Sequence, residues 1–478
     1  MLEGIEAIVF RTIGDGPSSW ESRLPPEVLR LPEELARVDA LLDDPAFFAP
    51  FAPHFHPVLG RPSTPIECYL RLMFLKFRYR LGYRYRLGYE SLCAEVSDSI
   101  SWRRFCRIGL DAKVPHPTTL MKLTTRCGEA AVAGLNEALL AKAAGQKLLR
   151  TARLRADTTV IPANVAYPTD SGLLARAVGK IARTVRRVQA AGAATRTGAR
   201  DRRRAAARRV REIASKLRTR AKLGREESSR VIARLTGELA DLAEAAAAEA
   251  AAVLRNGRRA LPAALSGRMR GRLRRALDEL AVTIGRAATV VAQARSRLAG
   301  QMPDSATRLV SLHDPDARPI RKGRIDKPVE FGYKAQVIDN DDGVVLDYSV
   351  EYGAAADGPQ LAPAIARAAR RAGRMPGAVT ADRGYGQPVV ERDLHALGVR
   401  TVAIPRQGPV PPARKTTEHS RGFRRLVKWR TGSEGRISYL KHAYGWDRTR
   451  LDGKAGTAIW CGHGVFAHNL VKIGVLCT

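Results

Sequence analysis

From Met1 to about Cys127, apolar residues recur at helical intervals. Thr64-Pro65-Ile66-Glu67 is a helix start, with an N-cap Thr, Pro at the first position and Glu three residues on. The helix runs through Tyr69, Leu72, Met73, Leu75 and Lys76. Short helices are expected at 90–96, 102–106 and 118–126, broken by Gly109, Pro115 and Pro117. The hexapeptide RYRLGY fills 78–83 and is repeated unchanged at 84–89. Six extra helical residues rotate the remainder of a helix by about 240°. The helix therefore ends before the second copy or rotates its face, and Gly82 and Gly88 favour an early end.

The period then changes. Residues 147–161, KLLRTARLRADTTVI, alternate through Ala152, Leu154 and Ala156 and end in β-branched residues, as a strand does. Asp157 lies inside that strand, and a charge in a central strand needs a partner. From 171 to 300 the chain is rich in Ala and Arg. Its apolar positions form heptad-like seams: Leu174, Val178, Ile181, Val185, Val188; Ile232, Leu235, Leu239, Leu242; and Leu273, Leu277, Leu280, Ile284. Gly192, Gly198, Asn256-Gly257 and Pro262 read as turns between long antiparallel helices. Beyond Val310 the pattern is α/β. Strands are expected at 331–338 and 344–350, joined by a hairpin turn at 339–343, and at 378–380 and 400–404. Helices are expected at 359–372, 390–397 and 464–475, with a basic loop at 406–425.

Charge narrows the partners. The chain of 478 residues carries a formal net charge of +34, which points to nucleic acid, because Lys and Arg displace counterions from phosphates. No long apolar run, lipidation motif or signal peptide argues for a membrane or for secretion, so a cytoplasmic, nucleoid-associated protein is expected. The amino-terminal helices, with interleaved Arg and aromatics, read as a helix-turn-helix type DNA reader or a plain bundle with basic faces. The very basic half of the helical insertion, 176–225, reads as a DNA-backbone contact arm against a solvated coiled-coil face. The six cysteines show no CxxC spacing and read as reduced thiols. Cys461, His463 and His468 fall short of a four-ligand metal site, and packing is their expected role.

Chemistry concentrates in three places. The stretch 428–446, KWRTGSEGRISYLKHAYGW, holds Glu434 among Lys428, Arg430, Arg436 and Lys441. On a helix Glu434 and Lys441, seven apart, share a side. Alone, this is an ordinary charged helix with i,i+4 pairs. Asp382, in TADRGYG, comes after the short strand at 378–380 and doubles as a turn-initiating residue. Asp157 alone could simply hydrogen-bond to backbone. With the insertion removed, the element order fits a mixed α/β sheet of the RNase H-like type, in which Asp157, Asp382 and Glu434 converge at one sheet edge. Three carboxylates at one point repel unless cations sit between them, and a pair of Mg²⁺ ions suits oxygen ligands and phosphoryl transfer. Glycines after Asp382 leave room for a phosphate backbone to approach.

These motifs resemble DDE-type insertion-sequence transposases, closest to the ISNCY family. GRPSTPIECYLRLMFLKFRYRLGY resembles their amino-terminal domain, RADTTVIPANVAYPTDSGLL the first-Asp block, TADRGYG the second, and HDPDARPIRKG with KPVEFGYKAQV also match. Arg430, Glu434 and Lys441 keep the R(3)E(6)K spacing of the third block, although Val427 stands where a tyrosine is frequent. The resemblance implies a helical DNA-binding domain at 1–146, an RNase H-like catalytic domain at 147–170 and 301–478, and a helical insertion at 171–300. It implies Asp157, Asp382 and Glu434 as the triad holding two Mg²⁺ or Mn²⁺ ions. Arg430, Lys441, Lys428, Arg383 and Arg436 are the expected DNA contacts. Double-stranded DNA, as transposon ends and target, is the expected partner, bound by a homodimer or larger assembly that cleaves and joins strands at terminal inverted repeats. The alternatives are an RNase H-like nuclease without strand transfer and a non-catalytic or domesticated DNA-binding protein.

Overall fold

A computed structural model describes residues 8–11, 23–79, 88–219, 224–261, 266–322, 328–353 and 355–477. Its strands are β1 (Ile8–Val9), β2 (Arg61–Pro62), β3 (Arg153–Pro162), β4 (Arg318–Arg321), β5 (Val329–Asp339), β6 (Val345–Tyr352), β7 (Ala378–Thr380) and β8 (Thr401–Ala403). Its longer helices are α1 (Glu33–Leu42), α2 (Ile66–Arg78), α3 (Tyr89–Asp98), α4 (Pro117–Gly145), α5 (Asp170–Ala190), α6 (Arg203–Arg218), α7 (Arg225–Ala260), α8 (Gly267–Leu298), α9 (Gly358–Ala372), α10 (Pro388–Ala396), α11 (Pro412–His419), α12 (Arg421–Arg430), α13 (Gly432–Ala443) and α14 (Gly453–Leu476). Residues 1–164 and 333–478 form one compact unit and 165–332 a second. The amino-terminal helices therefore share a unit with the sheet that carries Asp157.

In the first unit the strands lie in the order β6-β5-β3-β7-β8. β3, β7 and β8 are parallel, and β5 and β6 form an antiparallel hairpin whose turn has Gly343 at φ 75°. This mixed sheet with flanking helices is consistent with the expected RNase H-like arrangement. The turn is also an anchor: Asp339, Asp341 and Asp342 pair with Arg155, Arg153 and Arg150 in and before β3.

Several boundaries moved for physical reasons. The expected basic loop at 406–425 is largely helical, because Pro412 starts α11 and the Ser420 hydroxyl accepts from the Phe423 amide to cap α12. The last helix starts at Gly453 and is buried on every side from Thr457 to Leu470, rather than along one face. Asn469 in α14 holds β6 by donating to the Val345 carbonyl at 2.8 Å and accepting from its amide at 2.9 Å. His468 reaches the Gly343 carbonyl at 2.9 Å, and Cys461 and His463 are buried in the same helix. Helix α2 ends at Arg78, which binds Glu34 at 2.8 Å; the remainder of the RYRLGY repeat, 80–87, lies outside the described residues.

The second unit is a helical bundle. Leu174, Val178, Ile181, Val185 and Val188 of α5 pack with Leu235 and Leu239 of α7 and Leu273, Leu277 and Leu280 of α8. Asn256-Gly257, expected as a turn, lies inside α7. A Cβ on Gly257 would stand 2.7 Å from Leu277, so this glycine serves close helix packing rather than chain reversal. Among the described residues no helix is long and apolar enough to cross a membrane.

Helix α2 is buried almost throughout, and so is its Lys76. The ammonium lies 4.7, 4.4 and 4.1 Å from the ring centroids of Phe77, Tyr89 and Trp460. Burial lowers this lysine to about 7, while the rings offset part of the cost of its charge. The unfolded state then binds the extra proton between about 7 and the ordinary lysine value, so stability rises with pH across that window. Lys76→Met is expected to raise stability by roughly 2 kcal/mol at pH 6. The gain should shrink towards pH 10 in denaturant titrations of both proteins.

Candidate active site

Parallel pairing sets the first two acids. Arg153, Leu154 and Arg155 of β3 stand opposite Ala378, Val379 and Thr380 of β7. Asp157 lies two residues past Arg155 in β3, and Asp382 two residues past Thr380, beyond the end of β7, near enough to act on the Asp157 carboxyl. Glu434 arrives from elsewhere: it lies in the first turn of α13, which packs against β3.

Each aspartate is held by backbone. The Thr158 amide donates to Asp157 Oδ1 at 2.8 Å, and the Gly384 amide to Asp382 Oδ1 at 2.8 Å. The bland roles open to each aspartate alone are therefore real. Arg430 stands between the first and third acids, with Nη1 3.4 Å from Asp157 Oδ2 and Nη2 3.4 Å from Glu434 Oε1. Asp157 is buried, whereas the Glu434 side chain is 68% exposed. Burial pushes the Asp157 carboxyl up to about 6; the Thr158 amide pulls it down, Asp382 raises it, Arg430 lowers it and Glu434 raises it. Asp382, Arg430 and Glu434 thus all act on the Asp157 carboxyl.

The expected DNA contacts divide. Arg383 and Lys428 are exposed, and Lys441 is half-buried two turns along α13 from Glu434. Arg436 points inward instead, with Nε 3.4 Å from the buried Asp339. The glycines after Asp382 also divide. A Cβ on Gly386 would fall onto the Pro405 carbonyl, so its space is filled by the protein's own chain and not by a phosphate. A Cβ on exposed Gly384 would lie 3.0 Å from Asp382 Oδ1 and 3.5 Å from Asp357 Oδ2.

That last contact identifies residues that sequence reasoning missed. Asp357 is a fourth carboxylate beside Asp382, and Lys334 of β5 binds it at 2.7 Å. Tyr385 is buried next to both and accepts from Gln336 Nε2 at 2.9 Å. Asp357 reads in sequence only as the lead-in to a helix, and nothing local links it to Asp382. Arg155 and Asp339, missed as well, form a buried pair at 2.8 Å.

An all-oxygen donor set suits Mg²⁺ or Mn²⁺ rather than a softer metal. The Arg430 guanidinium occupies the place between Asp157 and Glu434 as a stand-in cation. Among the described residues no three His, Cys, Asp or Glu side chains already stand close enough to hold a metal ion.

The electrostatic coupling is testable without any reaction. Asp382→Asn should bring the Asp157 carboxyl down from about 6, and Arg430→Gln should drive it higher, as read by carboxyl ¹³C titration. Equal values in both variants would show that the acids do not share a site.

Two families match the chain: the Transposase domain (DUF772) family over residues 19–126 and the Transposase DDE domain family over residues 308–470. Asp382 and Glu434 fall within the second match, and Asp157 lies before it, on the far side of the inserted helices. No curated protein and no solved structure matches the chain. The two family matches together indicate a DDE-type transposase.

Proposed function

We propose that the chain is an insertion-sequence transposase of the ISNCY group that cleaves and joins DNA strands at the terminal inverted repeats of its element. The observation that supports this reading is Arg430 lying 3.4 Å from both Asp157 Oδ2 and Glu434 Oε1, with Asp382 near enough to raise the Asp157 carboxyl. Two Mg²⁺ or Mn²⁺ ions held by these three acids would supply the Lewis acidity and charge that in-line displacement at phosphorus needs.

The chain's own residues position and neutralise. The Thr158 and Gly384 amides fix the orientation of the two aspartates before substrate arrives. Arg430, Lys428, Arg383 and Lys441 neutralise phosphates of the bound end. Arg436, held by Asp339, supports α13. Water attacks the phosphodiester at the transposon end; the P–O3′ bond breaks, leaving a 3′-hydroxyl and a 5′-phosphate. That hydroxyl then attacks a target phosphodiester, loses its proton as the new P–O bond forms, and displaces a target 3′-oxygen. The basic helical insertion and the amino-terminal helices extend the contact along duplex DNA. Joining two ends to one target calls for at least a dimer on DNA, in the nucleoid.

Asp157→Asn, Asp382→Asn and Glu434→Gln should each keep end-DNA binding in band shifts while nicking falls by at least ~10³-fold. EDTA should stop the wild type and Mn²⁺ restore it. Nicking without joined products would assign a nuclease instead. Binding without nicking in wild type, with either ion, would assign a DNA-binding protein without chemistry.

A further inference from the structure

Arg155 lies two residues before Asp157 and so on the same face of β3. Its Nε donates to both Asp339 oxygens, at 3.0 and 3.1 Å, and its Nη2 to Asp339 Oδ2 at 2.8 Å. Asp339, the last residue of β5, is 0% exposed. The remaining nitrogen, Nη1, donates to the Trp429 carbonyl at 3.0 Å, and the guanidinium lies 4.7 Å from the Trp429 ring centroid. Arg153 stacks on the same ring at 4.4 Å. Asp339 also receives the Ser433 hydroxyl at 3.5 Å and Arg436 Nε at 3.4 Å. Trp429 is the last residue but one of α12, Ser433 the second of α13 and Arg436 lies one turn on, so the bonds at Trp429, Ser433 and Arg436 bracket Arg430 and Glu434. A Cβ on Gly432 would fall onto Arg155 Nη1; the junction thus sits as close to the guanidinium as a residue without a side chain allows.

A buried ion pair is weak evidence for stability, since removing two charges from water consumes most of the attraction. What the forked guanidinium supplies is fixed geometry. Resting on the function proposed above, we infer that Arg155 and Asp339 are positioning residues, which set where Arg430 and Glu434 stand relative to Asp157. Neither touches substrate. They act through the junction of α12 and α13, and Gly432 is the point at which that junction rests on Arg155.

Two variants test this in the full chain. Arg155→Lys keeps the charge and loses the fork. Gly432→Ala adds one methyl against the guanidinium and removes no buried charge, so it reports even where Arg155→Lys fails to fold. Both are expected to bind end DNA like wild type. Binding of Mn²⁺ alone, read by electron paramagnetic resonance, should weaken about tenfold, and kcat for nicking should fall ~10–100-fold at unchanged KM. A folded Gly432→Ala protein with wild-type Mn²⁺ affinity and wild-type kcat overturns the inference, as does a loss confined to melting temperature. Glu434→Gln separates the two levels of the claim. If it loses Mn²⁺ affinity and nicking while Gly432→Ala keeps both, only the positioning role falls. If it too keeps both, the proposed function itself falls.

Discussion

A guanidinium held between two strands and a helix junction is the constraint on which this site depends. Each guanidinium nitrogen of Arg155 is bonded: Nε and Nη2 make three hydrogen bonds to Asp339, and Nη1 makes one to the Trp429 carbonyl. Asp339 in turn is satisfied by Arg155, Ser433 and Arg436. A buried charge pair tolerates no loose member, because removing one partner leaves the other stranded at a cost of about 3–5 kcal/mol. The register of β3 against β5 and the approach of α12 and α13 are therefore settled by the same atoms. Two further pairs, Arg153 with Asp341 and Arg150 with Asp342, repeat the arrangement towards the surface and seat the hairpin turn on the lead-in to β3.

Upon that scaffold the chemistry faces an electrostatic conflict. Burial pushes the Asp157 carboxyl up to about 6, and Asp382 and Glu434 add to that rise. Arg430 relieves part of that conflict from 3.4 Å, reaching Asp157 on one side and Glu434 on the other. Lys334 likewise pairs with Asp357, the carboxylate near Asp382, at 2.7 Å.

The net charge of +34 is not distributed for one purpose. Arg71 is buried against Asp39 and Asp43, and the half-buried Arg78 and Arg414 pair with Glu34 and with Glu391 and Glu418. Many arginines that read as DNA-facing in a one-dimensional sequence are structural pairs. In the helical unit, by contrast, Arg204, Arg211 and Arg218 of α6 and Arg272, Arg274 and Arg275 of α8 are exposed. Excess charge there is displayed to solvent, where counterion release gives it value against a polyanion.

What was legible in the sequence is what neighbours along the chain encode. The alternation ending in Thr158–Ile161 marked β3 around Asp157, Asp341-Asp342-Gly343 marked the hairpin turn, and the three-and-four spacing marked the bundle seam, because period and turn chemistry are local properties. Pro412 and Ser420 were equally local signals for two helices, masked by dense charge. Tertiary structure decided the rest. Gly257 and Gly386 owe their identity to Leu277 and to the Pro405 carbonyl, not to a turn or a phosphate. Arg436 faces Asp339 because that carboxylate is buried beneath α13. Asp357 meets Asp382, and Arg155 meets Asp339, only once the sheet has ordered its strands. A sequence specifies which groups carry charge and which stretches pleat or coil; which charge answers which depends on distances that exist only after the chain has folded.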